Sequence, residues 1–104
     1  MRKVAAVGLL AVGVFGVSAT HAADAQAEAS LERPVPAATD TEIDGLNWRC
    51  TGDKCVGTPV GRRSGSRLDE CRKLASAIGR LASFSSRGKE LTKRDLDSCN
   101  RGAR

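Results

Sequence analysis

The residues with the clearest chemical potential in this 104-residue chain are four cysteines, at positions 50, 55, 71 and 99. Thiolates could bind zinc, cycle as a redox dithiol, or form structural bridges. A zinc site made of four cysteines needs two chelating pairs; Cys50 and Cys55 could form one, but Cys71 and Cys99 are 28 residues apart. A redox dithiol prefers Cys-x-x-Cys, which the sequence lacks. The spacing therefore favours two disulfides, and we expect no bound metal.

Side chains suited to acid–base or nucleophilic catalysis are scarce. His21 is the only histidine, and the chain has no tyrosine. If His21 leaves with a signal peptide, neither a Ser-His-Asp nor a Cys-His system can be assembled. The carboxylates of Asp69 and Glu70, and those of Asp95 and Asp97, point to different faces of a helix. We therefore expect a protein that is not an enzyme and that needs no cofactor.

The N-terminal segment predicts export. Residues 1–3 are Met-Arg-Lys, and residues 4–19 are an uncharged, mostly apolar run. That run is too short for a transmembrane helix and is typical of a signal peptide. Small residues place cleavage between Ala19 and Ala25, and we favour Ala22 or Ala23. A signal peptide over 1–23 predicts a periplasmic or secreted protein with no transmembrane span in the mature chain, whereas an uncleaved segment would be a membrane anchor.

The rest of the chain divides by charge. The formal net charge is +5, but residues 24–44 carry six acids and one base, whereas residues 45–104 carry 14 bases and six acids. The first segment has few apolar residues and contains Pro34 and Pro36, so we predict a disordered acidic leader. This leader could be a solubilising spacer, or it could shield a basic face. Residues 45–104 are then predicted to form one small basic domain.

Turn and capping residues predict the first half of that domain. Gly52-Asp53 is typical of a two-residue β-hairpin turn, which places Cys50 opposite Cys55 as a non-hydrogen-bonded pair with Cα atoms about 4.5 Å apart. Ser66 is a predicted N-cap with Asp69 as its capping-box partner. Apolar residues at helical spacing follow over 68–78, and Gly79 is a typical helix stop.

Similar patterns predict the second half. Residues 81–86 favour a strand, Arg87-Gly88 a turn, and residues 89–91 a short returning strand. Thr92 is the next N-cap, and it precedes a helix that carries Cys99. The predicted fold class is α+β: hairpin, helix, strand or hairpin, helix. The candidate core residues are Leu46, Trp48, Val56, Leu68, Leu74, Ile78, Leu81, Phe84, Leu91 and Leu96.

A domain with so small a core usually needs covalent cross-links, and an exported chain meets an oxidising compartment. Four cysteines allow three connectivities. Adjacency across the hairpin favours Cys50–Cys55, which leaves Cys71–Cys99 on the apolar faces of the two helices. The second bridge would contribute about 3–4 kcal/mol in the chain-entropy account.

The pattern of these residues resembles a group of short, exported, four-cysteine proteins of alphaproteobacteria. The residues that carry the resemblance are Trp48, Cys50, Gly52, Cys55, Cys71, Arg72, Leu74, Ala75, Gly79, Ser83, Phe84, Gly88, Leu91, Leu96, Cys99 and Asn100. The group has no assigned activity, so the resemblance implies an envelope location and no mechanism.

The excess of positive charge predicts an anionic partner, such as an envelope phosphate, an anionic lipid or an acidic protein. Aromatic residues are 3% of the chain, which argues against a base-stacking platform and a dedicated nucleic-acid partner. The candidate anion-binding residues are Arg62, Arg63, Arg67, Arg72, Lys73 and Arg80. The alternative function is an inhibitor or effector that acts on an exported protein through the loop at Gly57–Ser66.

Overall fold

The computed structural model describes residues 27–103, which form a six-stranded antiparallel sheet with two helices packed on one face. The strand order across the sheet is β2-β3-β4-β1-β5-β6. The predicted signal peptide, its cleavage sites and His21 lie outside the described residues. The elements in chain order are β1 (Ala27–Leu31), β2 (Thr39–Ile43), β3 (Leu46–Thr51), β4 (Lys54–Pro59), α1 (Arg67–Ile78), β5 (Leu81–Ser86), β6 (Lys89–Glu90) and α2 (Lys93–Asn100).

The α+β class is confirmed, but the prediction of a disordered acidic leader is wrong for residues 27–44. β1 lies inside the sheet, hydrogen-bonded to β4 on one side and to β5 on the other. Ala27, Ala29 and Leu31 are buried in the core, and the intervening Glu28 and Ser30 lie on the opposite face of the sheet. β2 pairs with β3 over its whole length. The folded domain therefore includes residues 27–44 and does not begin at residue 45.

The predicted hairpin at Gly52-Asp53 is confirmed. Cys50 pairs with Cys55 across β3 and β4, with a Cα–Cα distance of 4.0 Å. The indole of Trp48 lies beside Gly57 of β4, where an added Cβ would be 3.1 Å from the ring. Trp48 also contacts Phe84 of β5, at a ring-centroid distance of 5.8 Å. Gly57 therefore gives the largest core side chain its space.

Both predicted helix starts are confirmed. The Ser66 hydroxyl accepts from the Asp69 N–H at 3.1 Å, and an Asp69 carboxylate oxygen accepts from the Ser66 N–H at 3.2 Å. The Thr92 hydroxyl accepts from the Asp95 N–H at 3.2 Å. Each bond satisfies an N–H that has no partner within the helix, so the chain fixes where each helix begins. Within residues 27–103, neither helix is long and apolar enough to cross a membrane.

The core lies between the sheet and the helices and includes all four cysteines. Nine of the ten predicted core residues are buried or pack against the core. Val56 is the exception, because its side chain points to the open face of the sheet and is 41% exposed. The Asn100 amide joins α2 to β5 by pairing with both the N–H and the C=O of Leu81, each at 2.8 Å.

The predicted connectivity of the cysteines is confirmed, with bridges Cys50–Cys55 and Cys71–Cys99. The sequence separations are 5 and 28 residues. Replacing both Cys71 and Cys99 with Ala should lower the free energy of unfolding by about 3.5 kcal/mol, because the longer loop loses more chain entropy on closure. The matched replacement of Cys50 and Cys55 should cost about 2 kcal/mol. Urea unfolding of both variants measures this order, and equal losses would contradict the loop-length argument.

Candidate anion-binding site

Two of the six predicted anion-binding residues, Arg63 and Arg67, are partly buried and engaged inside the protein. Arg63 makes a bidentate ion pair with Glu70, and its side chain is only 12% exposed. The Arg67 Nε donates to the backbone C=O of Ser86 at 3.0 Å. Arg80 pairs with Glu32 at 3.2 Å. Arg63 and Arg67 are therefore used in contacts within the fold, whereas the side chain of Arg80 is 54% exposed and its ion pair lies at the surface.

Glu70 is the centre of the most buried of these contacts. Its carboxylate is 1% exposed and accepts from Arg63 at 2.8 and 2.9 Å, from the Ser86 hydroxyl at 2.9 Å and from Arg87 at 3.2 Å. Arg87 also donates to the Gly65 carbonyl. Both carboxylate oxygens are thus fully hydrogen-bonded, as a buried charge requires. The cluster joins the loop before α1 to the β5–β6 turn.

Arg62, Arg72 and Lys73 are also exposed, and the structure groups two of these three residues with a further cation. Arg72 and Lys73 on α1 line an open depression of about 570 Å³, together with Arg101, which follows α2. Ser76 and Ser98 provide hydroxyls in the lining, and Ile43 and Ala77 provide apolar surface. We call this feature the basic depression. Arg62, the remaining predicted residue, is exposed on the loop after β4 and does not line it.

Helix geometry explains why these cations meet. Residues 71, 74 and 75 of α1 are buried in the core, so residues 72, 73, 76 and 77 fall on the outward side of the helix. The Cys71–Cys99 bridge holds α2 beside α1 with Cα atoms 5.7 Å apart. As a result, the Arg72 guanidinium donates to the Ser98 hydroxyl at 3.0 Å. The end of α2 then brings Arg101 to the same depression.

One acidic side chain, Asp44, touches the edge of this site. Its carboxylate lies 3.4 Å from the Lys73 ammonium and also accepts from the Ser64 hydroxyl and the Gly65 N–H. The neighbouring Gly45 has a positive φ of 82°, and a Cβ there would overlap the carbonyl of Arg62. The turn between β2 and β3 is therefore packed tightly against the loop before α1. The Asp44 carboxylate therefore contacts both the loop before α1, through Ser64 and Gly65, and the Lys73 side chain.

The predicted inhibitory segment Gly57–Ser66 is a strand end followed by this loop. Gly57 and Pro59 belong to β4, and only the following residues are irregular. Val60 is 54% exposed, while the backbone N–H groups of Val60 and Gly61 both donate to the Gly45 carbonyl. The carbonyls of Gly61 and Arg62 face Gly45. The backbone at the start of this loop is thus packed against Gly45.

The hydrogen bonds around Asp44 and Asp69 predict an acid sensitivity of the fold. The Ser64 hydroxyl lowers the pKa of Asp44 below its ordinary 3.8, with Lys73 acting in the same direction, and the Ser66 N–H lowers the pKa of Asp69. A carboxyl whose pKa is lower in the folded state stabilises the fold above about pH 4. That contribution is lost as the pH falls through the folded-state pKa.

Urea unfolding from about pH 7 down to about pH 2 should therefore show a loss of stability at the acid end. The variant Asp44→Asn should be less stable near neutrality and should lose less stability on acidification. Asp53→Asn, in the exposed β3–β4 turn, is the control that should keep the wild-type profile. An unchanged profile in Asp44→Asn would show that these bonds do not contribute.

The chemistry that the basic depression supports is electrostatic and hydrogen-bonding recognition. Its lining offers two guanidiniums, one ammonium and two hydroxyls. Among residues 27–103 no group of three or more histidine, cysteine, aspartate or glutamate side chains could hold a metal ion. Sequence reasoning selected Arg72 and Lys73 but left Arg101 out of the site. The predicted Cys71–Cys99 bridge was the pattern that could have placed Arg101 beside them.

Comparison with known proteins gives one match. Residues 10–101 match a family of unknown function, DUF8200. No curated protein and no solved structure matches the chain. Because the match covers most of its length, the chain belongs to this family of unknown function.

Proposed function

We propose that this chain is a non-enzymatic protein, exported to the periplasm or the exterior of a bacterium, that binds an anionic partner of the envelope through the basic depression. The observation that carries the proposal is the convergence of Arg72, Lys73 and Arg101 on one open depression that has no acidic side chain in its lining. Cations that converge in a concave site focus the local potential and favour the binding of anions.

Export is supported by three observations. Residues 1–23 have the pattern of a signal peptide. All four cysteines are in disulfides, which form and persist in oxidising compartments. The sequence also resembles exported alphaproteobacterial proteins. A binding role, rather than catalysis, is supported by the carboxylates of Asp44, Asp69 and Glu70, which are all used in structural hydrogen bonds.

The alternative function, inhibition of an exported protein through the loop after β4, receives mixed support. The loop is held to Gly45 by two backbone hydrogen bonds and exposes Val60, as an inhibitory loop would require. A substrate-like inhibitor, however, must present its backbone carbonyls to the target enzyme. The carbonyls of Gly61 and Arg62 face Gly45 instead. Anion binding is therefore the function that we propose.

Salt-dependent binding to heparin tests the proposal. The mature, oxidised protein should be retained at low salt and released as salt rises, because counterions compete for the same cations. The double variant Arg72→Ala/Arg101→Ala should bind about tenfold more weakly or worse, with a salt dependence reduced by about two counterions.

The matched control is Arg33→Ala/Lys89→Ala. It removes the same charge from two exposed residues that make no side-chain hydrogen bond or ion pair within residues 27–103. If the control loses as much affinity as the test variant, binding depends on net charge and the depression is not the site. Retention that does not change with salt would overturn anion binding altogether.

A further inference from the structure

We infer that the basic depression recognises a phosphate monoester, in preference to a phosphodiester or a carboxylate; this rests on the proposed function and names the chemical class of its ligand. The inference comes from the number and type of donors in the lining, from the apolar surface beside them, and from the charges around them. Each of these points to a small dianion that is attached to a larger group.

The donor set matches three free phosphate oxygens. Arg72 and Arg101 each offer a planar fork of N–H donors, which suits bidentate contact with phosphate, and Lys73 adds a point charge. A monoester has three terminal oxygens and a charge of about −1.5 to −2 near pH 7. A diester or a carboxylate has one negative charge and two such oxygens, so it would leave part of this donor set unused.

The two hydroxyls add neutral donors at the same place. Ser98 accepts an N–H from Arg72, which leaves its own O–H proton available to a ligand. Ser76 is exposed on the outward side of α1, one turn after Arg72, and lines the same depression. A hydroxyl that is oriented by a guanidinium provides a donor beside the charge.

The apolar part of the lining suits the esterified side of the ligand. Ile43, at the end of β2, and Ala77 on α1 lie in the same lining as the three cations. A phosphate that contacts the cations would carry its alcohol group past these two side chains. The ester could be a lipid or a soluble phosphorylated compound, since both present the same phosphate group.

The ionisable groups around the site predict how binding should depend on pH. Asp44 contacts Lys73, and Asp69 lies one turn before it on α1; both carboxyls remain ionised above about pH 4. On α2, Lys93 pairs with Asp97, and Arg94 precedes Ser98 by one turn. Residues 27–103 contain no histidine, the side chain that ordinarily titrates between about pH 5 and pH 8, whereas a phosphate monoester titrates there with a pKa of about 6.

The test compares vesicles of neutral phosphatidylcholine that contain either phosphatidic acid, a monoester, or phosphatidylglycerol, a diester, with the two sets matched in surface charge. The mature, oxidised protein should bind the phosphatidic acid vesicles about tenfold more tightly at pH 7.5. That preference should shrink toward pH 5 as the monoester loses its second charge. Binding to phosphatidylglycerol should stay level over the same range.

Two variants connect the preference to the site. Arg72→Lys keeps the charge but removes the planar fork, and Ser76→Ala/Ser98→Ala keeps all three cations but removes the hydroxyls. Both should lose most of the preference for phosphatidic acid while still binding anionic vesicles. Arg33→Lys is the matched control and should keep the preference. Thermal unfolding of each variant shows whether it is folded.

The outcomes separate this inference from the proposed function. Equal binding to the two lipids, with binding still lost in Arg72→Ala/Arg101→Ala, would overturn the monoester inference and leave anion binding intact. The absence of binding to both vesicles and to heparin would overturn both. Competition by soluble glycerol 3-phosphate would support a phosphate that is recognised on its own. Preference for phosphatidic acid without such competition would support a monoester that is recognised at a lipid surface.

Discussion

A chain that starts at Gly45 is expected to be unfolded, although it keeps all four cysteines and most of the positive charge. Its β4 and β5 would lose the strand that joins them, because β1 is hydrogen-bonded to both. The core would also lose Ala27, Ala29 and Leu31, and β3 would become an unprotected edge. The near-ultraviolet circular dichroism of the buried Trp48 measures the loss, and we expect that band to be absent in the truncated chain.

Two neighbouring substitutions test the same strand without removing it. Ala29 is buried opposite Phe84 and Cys55, so Ala29→Asp places a charge in the core and should cost about 3–5 kcal/mol of unfolding free energy. Glu28 faces the open side of the sheet, so Glu28→Ala should change stability by about 0.5 kcal/mol or less. Similar losses in both variants, or a native spectrum from the truncated chain, would show that β1 is not part of the stable fold.

The central position of β1 also changes how the acidic segment should be understood. Glu32, Asp40 and Asp44 pair with Arg80, Arg49 and Lys73. Three of the five acids in residues 27–44 are thus partners of basic residues within one fold, so this segment is not a leader separate from a basic domain. Residues 27–103 carry 14 bases and 11 acids, a net charge of +3. In the basic depression Asp44 contacts Lys73 at the edge, but no acidic side chain belongs to the lining, so the site keeps an excess of positive charge.

The features that sequence reasoning predicted correctly are local ones. The Gly52-Asp53 turn fixes the register of β3 and β4, and with it the Cys50–Cys55 bridge. Ser66 and Thr92 act on N–H groups three residues away, so their sequence neighbours are enough to identify both helix starts. In each case the interacting groups are close in the chain, and the sequence shows them side by side.

The formation of β1 and the roles of the arginines depend on residues that are distant in the sequence. The sequence Ala-Glu-Ala-Ser-Leu alternates small apolar with polar residues, and Ala and Glu are depleted in strands. This segment forms a strand because β4 and β5 supply hydrogen bonds on both sides. In the same way, the pairing of Arg80 with Glu32 joins residues 48 positions apart. Composition alone could not distinguish an arginine that binds an anion from one that holds the fold together.

Glu70→Ala should be among the most destabilising substitutions outside the apolar core, with an expected loss of about 3–5 kcal/mol of unfolding free energy. The variant leaves the largely buried Arg63 guanidinium without its bidentate partner and removes an acceptor from the buried Ser86 hydroxyl. Asp69→Ala is the matched control, because it removes the adjacent acid of the same helix turn. That control removes only half of an exposed capping box, so its loss of stability should be clearly smaller.

A double-mutant cycle between Glu70 and Arg63 separates the ion pair from simple loss of packing. If the cost of Glu70→Ala comes from a buried guanidinium that has lost the Glu70 carboxylate, the added substitution Arg63→Ala should restore part of the stability. The losses in unfolding free energy of the two single variants will then not be additive. The loss should also persist in high salt, because buried charges are screened much less than exposed ones. Additive losses would assign the effect to packing alone.

If Glu70→Ala leaves the stability unchanged, the Arg63 guanidinium must reach solvent in that variant. Heparin should then retain the variant more strongly than the wild type. Stability and anion binding measured on this one variant therefore decide whether Arg63 belongs to the fold or to the binding surface.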